Sequence, residues 1–518
     1  MLILAFALST ALGYLAIGSV WPDRKPTFTA SMIRISLSPS LGLGIFSVVF
    51  WLTLFWGDAH VVVVDVSLLV LLGLTYSARR SRLLRETTSS LSSRAKMNCP
   101  GVSGNSSQSR DLAFAHQSLS QNVGTVLNNA SDTVAISAPK WLSRVLTASF
   151  AIAAMAAIYY AGLRVRVHPH GEGWDAFAIW NLHARFLFLG GAHWRDGFNS
   201  MISWSHPDYP LLLPATIAHL WSYLGHDDPL VPAIVGLIFA FSTLALLVSS
   251  LAALRGRNAA MLGGLALLST PFFVEQGTSQ YADVPLSFFI LASLVLLHVT
   301  ESHSRHSPTL MALSGLAAGF AAWTKNEGLL FLFALIVAQV SAVVTAQKEA
   351  SADESRRKWR LIAYFGLGTV PLLLLIAWFK HTIATPGDLF SSPSTMIQRI
   401  LTPNRYWIIL EWFGKELLRF GNWWIIPGTA TMLAFCLLIF RRQKSEGRSV
   451  LQISVLAILL TLAGYFAIYV ITPRDLYWHL RFSLNRLFLQ VWPSAIFLFF
   501  CFIQPPSVAT SQSELDIL

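Results

Sequence analysis

Apolar runs of about 20 residues, broken by short polar stretches, recur along most of the chain. A bilayer core of about 30 Å takes roughly 20 apolar residues per helix. On that measure the pattern predicts thirteen spans, at 2–21, 39–56, 60–77, 144–162, 229–253, 259–274, 284–300, 309–323, 328–346, 361–383, 424–440, 450–471 and 486–503. Residues 209–224 are apolar too, and charge decides how they are read. Four cationic runs stand out: Arg79, Arg80, Arg82 and Arg85; Arg255 and Arg257; Arg356, Arg357, Lys358 and Arg360; and Arg441, Arg442, Lys444 and Arg448. Lys and Arg gather in cytoplasmic loops. A full crossing at 209–224 would put the last three runs outside, whereas a re-entrant or surface helix there puts all four inside. The second reading leaves the N-terminus outside and the C-terminus inside. No basic stretch precedes residues 2–21, so they are expected to be a retained first span and not a signal peptide.

Three segments follow from this pattern. Residues 1–78 hold three spans, residues 79–142 form a polar, Ser- and Asn-rich cytoplasmic linker expected to be disordered, and residues 143–518 hold the rest. The Asn-x-Ser sequences at Asn105 and Asn129 fall in that linker and carry no weight. No repeat of 20–50 residues is present.

Composition agrees. Hydrophobic residues make up 54% and charged residues 12%, against about 25% charged in a soluble domain. A soluble enzyme, a disordered protein and a coiled coil are excluded, and the fold class is an all-α polytopic membrane protein. The formal charge is 37 − 26 = +11. In a membrane protein that excess belongs to cytoplasmic loops and lipid headgroups and does not argue for nucleic acid. Cys99, Cys436 and Cys501 are too few and too scattered for a disulfide framework or a thiolate metal site.

The polar residues a membrane protein should not waste gather in the outer connections. The loop 163–228 contains Gly171-Glu172-Gly173-Trp174-Asp175, then a helical stretch from Ala176 to Leu189 with Ile179, Leu182, Phe186 and Leu189 on one face. Asp175 is either the N-cap of that helix or a general base at the membrane surface. Glu172 is close enough to share its site, and Arg164, Arg166 and Arg185 flank it. Asp283, in Tyr281-Ala282-Asp283-Val284-Pro285, is either a second N-cap, with Pro285 in the first turn, or a second carboxylate facing the same cavity. Two such carboxylates could orient an acceptor or hold a divalent metal.

Lys325, between two apolar spans, either snorkels to headgroups or reaches a lipid phosphate. The connection 472–485 carries Arg474, Asp475 and Arg481, and Arg486 follows it. Arginines on the outer side run against the charge trend and suit a phosphate through their planar fork of donors, although Arg474 and Asp475 could pair with each other. In 384–423, Tyr406, Ile409, Leu410, Phe413 and Leu417 share one face of an expected interfacial helix. His168, His170, His183, His193 and His206 cluster in the first loop without a helical metal spacing, so a zinc site there is disfavoured. Gly315 and Gly319 form a GxxxG that suits internal helix packing.

Taken in order, these features resemble the GT-C superfamily of membrane glycosyltransferases, especially the bacterial family-39-like enzymes that include protein O-mannosyltransferases and lipid A aminoarabinose transferases. The resemblance covers roughly 143–500. It runs through Trp174-Asp175, then His206-Pro207-Asp208-Tyr209-Pro210-Leu211, then Arg255-Gly256-Arg257, then Tyr281-Ala282-Asp283-Val284-Pro285 and Gly319-Phe320-Ala321-Ala322-Trp323-Thr324-Lys325. It implies a helical bundle with its site at the outer face, a polyprenyl-phosphate sugar donor, and a hydroxyl acceptor on a lipid, glycan or protein. By this resemblance Asp175 is the catalytic base, Asp283 the acidic residue of the second outer loop and Lys325 a lysine near the donor phosphate. Protein O-mannosyltransferases carry adjacent Asp-Glu in the first loop. Here Trp174 and Ala176 flank Asp175, so Glu172 is only a partial stand-in.

The expected chemistry is inverting transfer. Asp175 takes the acceptor proton while Asp283 orients the acceptor or links to a metal, with Glu172 as a further acidic candidate. Lys325, Arg474, Arg481, Arg486 and Arg185 contact the donor phosphate, and Trp174, His206, Asp208 and Tyr281 contact sugar or acceptor. No cofactor is required beyond that optional divalent metal. The expected location is a bacterial plasma membrane, with the site facing the periplasm or exterior. The rival reading is a transporter or flippase of a lipid-linked sugar. That would place charges at mid-membrane and often shows inverted repeats.

Overall fold

The computed structural model describes residues 1–21, 27–55, 61–97, 140–302, 307–346, 351–387, 389, 392–422, 441–442 and 448–504. They form an all-α bundle. In chain order its helices are α1 (Leu2–Val20), α2 (Phe28–Thr53), α3 (Val61–Met97), α4 (Lys140–Val167), α5 (Asn181–Leu189), α6 (Leu212–Leu224), α7 (Leu230–Arg255), α8 (Arg257–Leu268), α9 (Pro271–Thr278), α10 (Asp283–Ser302), α11 (Ser307–Thr324), α12 (Asn326–Ala346), α13 (Ala352–Thr382), α14 (Pro393–Ile400), α15 (Pro403–Arg419), α16 (Arg448–Ile471) and α17 (Leu476–Phe502). A two-residue antiparallel pair, Arg441–Arg442 with Ile503–Gln504, is the extended exception.

Among the described residues, ten helices are long and apolar enough to cross a membrane. The protein is an integral membrane protein. These ten coincide with ten of the thirteen expected spans; 424–440 lies outside the described residues. The expected span 259–274 is corrected to two short helices, α8 and α9, broken at Ser269–Thr270. Pro271 accounts for the break: Thr270 before it is extended (φ −93°, ψ 95°), as a residue preceding proline prefers. The expected span 309–323 is α11, of 18 residues and therefore about 27 Å long. Its Ala, Gly and Ser content lowers its hydropathy and lets it pack closely against α10, α12 and α13.

Glycine sets that packing. A Cβ on Gly315 would run into the Phe365 carbonyl of α13, and one on Gly319 would come within 3.0 Å of Leu372. Thr369 donates to the Gly315 carbonyl (3.1 Å) across the same contact. The GxxxG therefore packs one helix of the chain on another. Gly315→Leu is expected to cost about 3 kcal/mol by overpacking, read as a lower thermal midpoint in detergent.

The directions of the helices agree throughout. Ser9 of α1 lies against Gly42 of α2 and Gly13 against Ser38, so the two run antiparallel. Arg79 of α3 donates to the Ser19 carbonyl at the end of α1. Arg255 donates to the Cys501 carbonyl near the end of α17 (2.7 Å), and the cationic start of α13 lies at that end as well. Asp175, Asp283, Lys325, Lys380 and Arg486 lie at the opposite end, joined by the bonds described below. The helix α6 is 13 residues long, too short to cross, and Asp208 before it and Leu230 after it both belong to the Asp283 end. Residues 209–224 therefore do not make a full span, as expected, and α6 is buried and is not a surface helix.

Of the first three helices, α2 packs against α6 and α7. Its Trp51 meets Phe55, Trp194, Trp323, Trp378 and Phe379 at ring-centroid distances of 5.1–6.1 Å, beneath the loops of the site end. The linker expected at 79–142 begins as helix, since α3 runs on to Met97. That stretch has neither Gly nor Pro until Pro100, and residues 98–139 lie outside the described residues.

Candidate active site

Two loops interlock to make the site end. Gly171 (φ 83°) and Gly173 (φ 79°) occupy left-handed conformations, and a Cβ on Gly173 would sit 2.5 Å from the Tyr281 hydroxyl. Only glycine fits there. Gln280, also left-handed (φ 62°), donates to the Pro169 carbonyl (2.9 Å) and accepts from Asn181 (2.7 Å). The segment before Asp175 is thus fastened to the segment before Asp283.

Neither aspartate is an N-cap. Asp175 has helical backbone angles (φ −63°, ψ −30°) and its side chain caps nothing. A π-turn, Ala176–Trp180, follows it, a feature frequent at functional sites. The extra residue in that turn also rotates the face expected for the next helix: His183, Ala184 and Leu187 face inward, while Leu189 is exposed. For Asp283, the Ala282 carbonyl accepts the first helical bond, from the Leu286 amide, so Ala282 is the cap.

The two carboxylates are joined by Arg486. Its Nη1 donates to Asp175 Oδ2 (2.6 Å) and its Nε to Asp283 Oδ2 (2.8 Å). Its guanidinium carbon lies 4.5 Å from the centre of the Tyr281 ring. Asp283 also accepts from Lys325 Nζ (3.0 Å) and from Gln490 Nε2 (2.6 Å), both on Oδ1. Lys325 divides its charge between Asp283 and Glu327 (2.8 Å). The two carboxylates differ in what they can still do. Asp283 is wholly buried with three donors, whereas the Asp175 side chain is 25% exposed with one. Donors occupy both oxygens of Asp283, whereas one oxygen of Asp175 stays open to a substrate. Burial and the Asp175 charge push the Tyr281 hydroxyl up to about 12, so it stays protonated beside them.

The other sequence candidates fall into two groups. Trp174, His206, Asp208 and Arg474 border the cluster. Trp174 is 56% exposed and meets Trp204 edge-on at 5.7 Å. His206, left-handed at φ 53°, stacks on Tyr209 (4.6 Å), with Arg474 at 3.5 Å from its Nε2. Lys325 lies 5.9 Å from the same Tyr209 ring. Asp208 accepts from Asn326 (2.7 Å), and Lys380 ties both down by donating to the Asp208 backbone carbonyl (3.0 Å) and to Asn326 Oδ1 (2.9 Å).

Glu172 and Arg185 are not brought into the cluster. Glu172 pairs with Arg164 of α4, and Arg185 with Asp227 at 2.9 Å. Arg481 is exposed beside Phe482. Asp475 is an N-cap, accepting from the Trp478 amide (2.8 Å).

The interfacial helix is α15. Ile409 is buried, Tyr406 and Phe413 pack on Phe466, Leu410 and Leu417 stay exposed, and Arg405 caps the carbonyls that end α16. Sequence reasoning missed Gln490, Asn326, Glu327 and Lys380. Gln490 left a readable signal: it lies four residues after Arg486 inside an apolar span, on the same helix face.

Among the described residues no group of three His, Cys, Asp or Glu side chains could hold a metal. The space between the two aspartates belongs to a guanidinium, which does not suit a divalent ion. The histidines do not converge on a zinc site. Burial and then the His206 charge lower His183 to about 3, and it bonds Ser205 at 3.2 Å. Between pH 6.5 and 3 the unfolded chain binds more protons at this residue, so folding stability is full above about 6.5 and falls as the pH drops toward 3. His183→Gln is expected to flatten that part of a pH–stability curve measured in detergent.

Residues 211–385 match the model of the dolichyl-phosphate-mannose-protein mannosyltransferase family. That family is one of the GT-C superfamily of glycosyltransferases. The matched segment is about a third of the chain. It carries Asp283, Lys325, Asn326 and Lys380, and leaves Asp175 and Arg486 outside. The family is one of glycosyltransferases that use a polyprenyl-phosphate sugar donor. No curated protein and no solved structure is significantly similar to the chain.

Proposed function

We propose that this protein transfers a sugar from a polyprenyl phosphate to a hydroxyl acceptor, with Asp175 as the general base. The observation that carries the reading is the Arg486 bridge: one guanidinium holds a buried, fully bonded Asp283 and a half-open Asp175. The acceptor hydroxyl gives its proton to the free oxygen of Asp175 as its own oxygen attacks the anomeric carbon. The bond from that carbon to the donor phosphate breaks, and the phosphate leaves with the electron pair. Its growing charge needs cations near the membrane surface.

Lys325 and Arg486 are already engaged by carboxylates, which favours the exposed Arg481 for the phosphate. Asp283 serves as counter-ion and not as metal ligand. The site lies at the end of the bundle away from the cationic runs, which by the charge rule is the outer face; in a bacterial plasma membrane that is the periplasmic or exterior side. Trp174 and Tyr281 border the place where sugar and acceptor meet.

A single displacement inverts the anomeric carbon. The test is the anomeric configuration of the purified product by NMR: opposite to the donor is expected, and a retained configuration overturns the one-step mechanism.

A further inference from the structure

Tyr465 of α16 and Gln490 of α17 are wholly buried in apolar spans, where a polar side chain is expensive unless bonded. Each bond they make has a fixed sense. The Tyr465 hydroxyl donates to Gln490 Oε1 (2.7 Å). A carboxamide has one accepting and one donating end, so Nε2 of Gln490 must face Asp283 Oδ1, at 2.6 Å. Asp283 accepts Arg486 Nε on its other oxygen, and Arg486 Nη1 reaches Asp175. Four bonds thus run from the interior of α16 to the one member of the row that is a quarter exposed.

We propose that Tyr465 and Gln490 are positioning residues, which hold the Asp175 carboxylate in its reactive orientation through Asp283 and Arg486. The inference rests on the reading of Asp175 as base. Without the Tyr465 hydroxyl the buried Gln490 Oε1 loses its donor, the carboxamide is held by Asp283 alone, and the seat of Arg486 on Asp283 loosens. Small displacements of a reacting group are costly to rate and cheap to binding, since a shift of about 1 Å can cost about a hundredfold.

The experiment uses the full chain in detergent with polyprenyl-phosphate sugar donors. Tyr465→Phe is expected to lower kcat about tenfold while the KM for donor and acceptor stay within about twofold. Gln490→Leu lowers kcat at least as far, and the double variant is no worse than Gln490→Leu alone, because Tyr465 acts only through that amide. A second readout does not need transfer: amidation of Asp175 by a water-soluble carbodiimide and an amine, followed by mass spectrometry, is expected to quicken several-fold in Tyr465→Phe. Unchanged kcat together with unchanged labelling overturns the proposal. So does a double variant whose loss is the product of the two single losses, since Tyr465 would then act by packing. If the wild type moves no sugar from any donor while the labelling shift is seen, the brace stands and the base assignment fails.

Discussion

Asp175→Asn is expected to lower sugar transfer by about 10³-fold, within the range a positioned general base contributes, while the protein still folds and still binds donor. The amide is nearly the same size and can still accept from Arg486 Nη1, so the fold is spared. Only the proton acceptor is lost. Asp175 is the member of the cluster with a partly exposed side chain and a single donor, so its removal strands no second buried charge. Transfer rate, donor binding and thermal midpoint measured on one preparation check this. Full transfer in the variant contradicts the assignment.

Asp283→Leu is expected to fail in the opposite way, through stability. Asp283 is wholly buried between Arg486, Lys325 and Gln490. Its loss leaves two cations with part of their counter-charge gone in a poorly solvated place, a change that typically costs about 3–5 kcal/mol. The variant should be poorly expressed, or should melt far below wild type in detergent. The exposed pair Lys415–Glu411 supplies the contrast: Glu411→Ala is expected to cost less than about 1 kcal/mol. Equal losses in the two variants would show that burial of the Asp283 network contributes nothing.

Much of this was legible in the chain, for reasons that can be stated. Ten spans follow from hydropathy because each is long and apolar enough to cross a membrane, and these include α10, which is wholly buried among other helices. The helix α11 is less apolar because of its Ala, Gly and Ser residues, and the break before Pro271 is hidden by the apolar residues on both sides. Asp175, Asp283, Lys325 and Arg486 were picked out as charges out of place in a membrane protein, and they do converge. Glu172 and Arg185 were chosen for nearness along the chain, and nearness does not choose a partner: each found an opposite charge elsewhere, Arg164 and Asp227. The pairing of Asp175 with a residue 311 positions away is a property of the fold alone. Gln490 was missed because it is uncharged, though its spacing from Arg486 marks it.

The most direct measurement is transfer itself. Purified protein in lipid vesicles is supplied with radiolabelled polyprenyl-phosphate sugars and an extract of membrane lipids and glycans. The account predicts that label moves to an acceptor with wild type and is lost with Asp175→Asn. Label that stays on the donor while the donor crosses the vesicle bilayer would contradict it, and would make the protein a carrier of lipid-linked sugar.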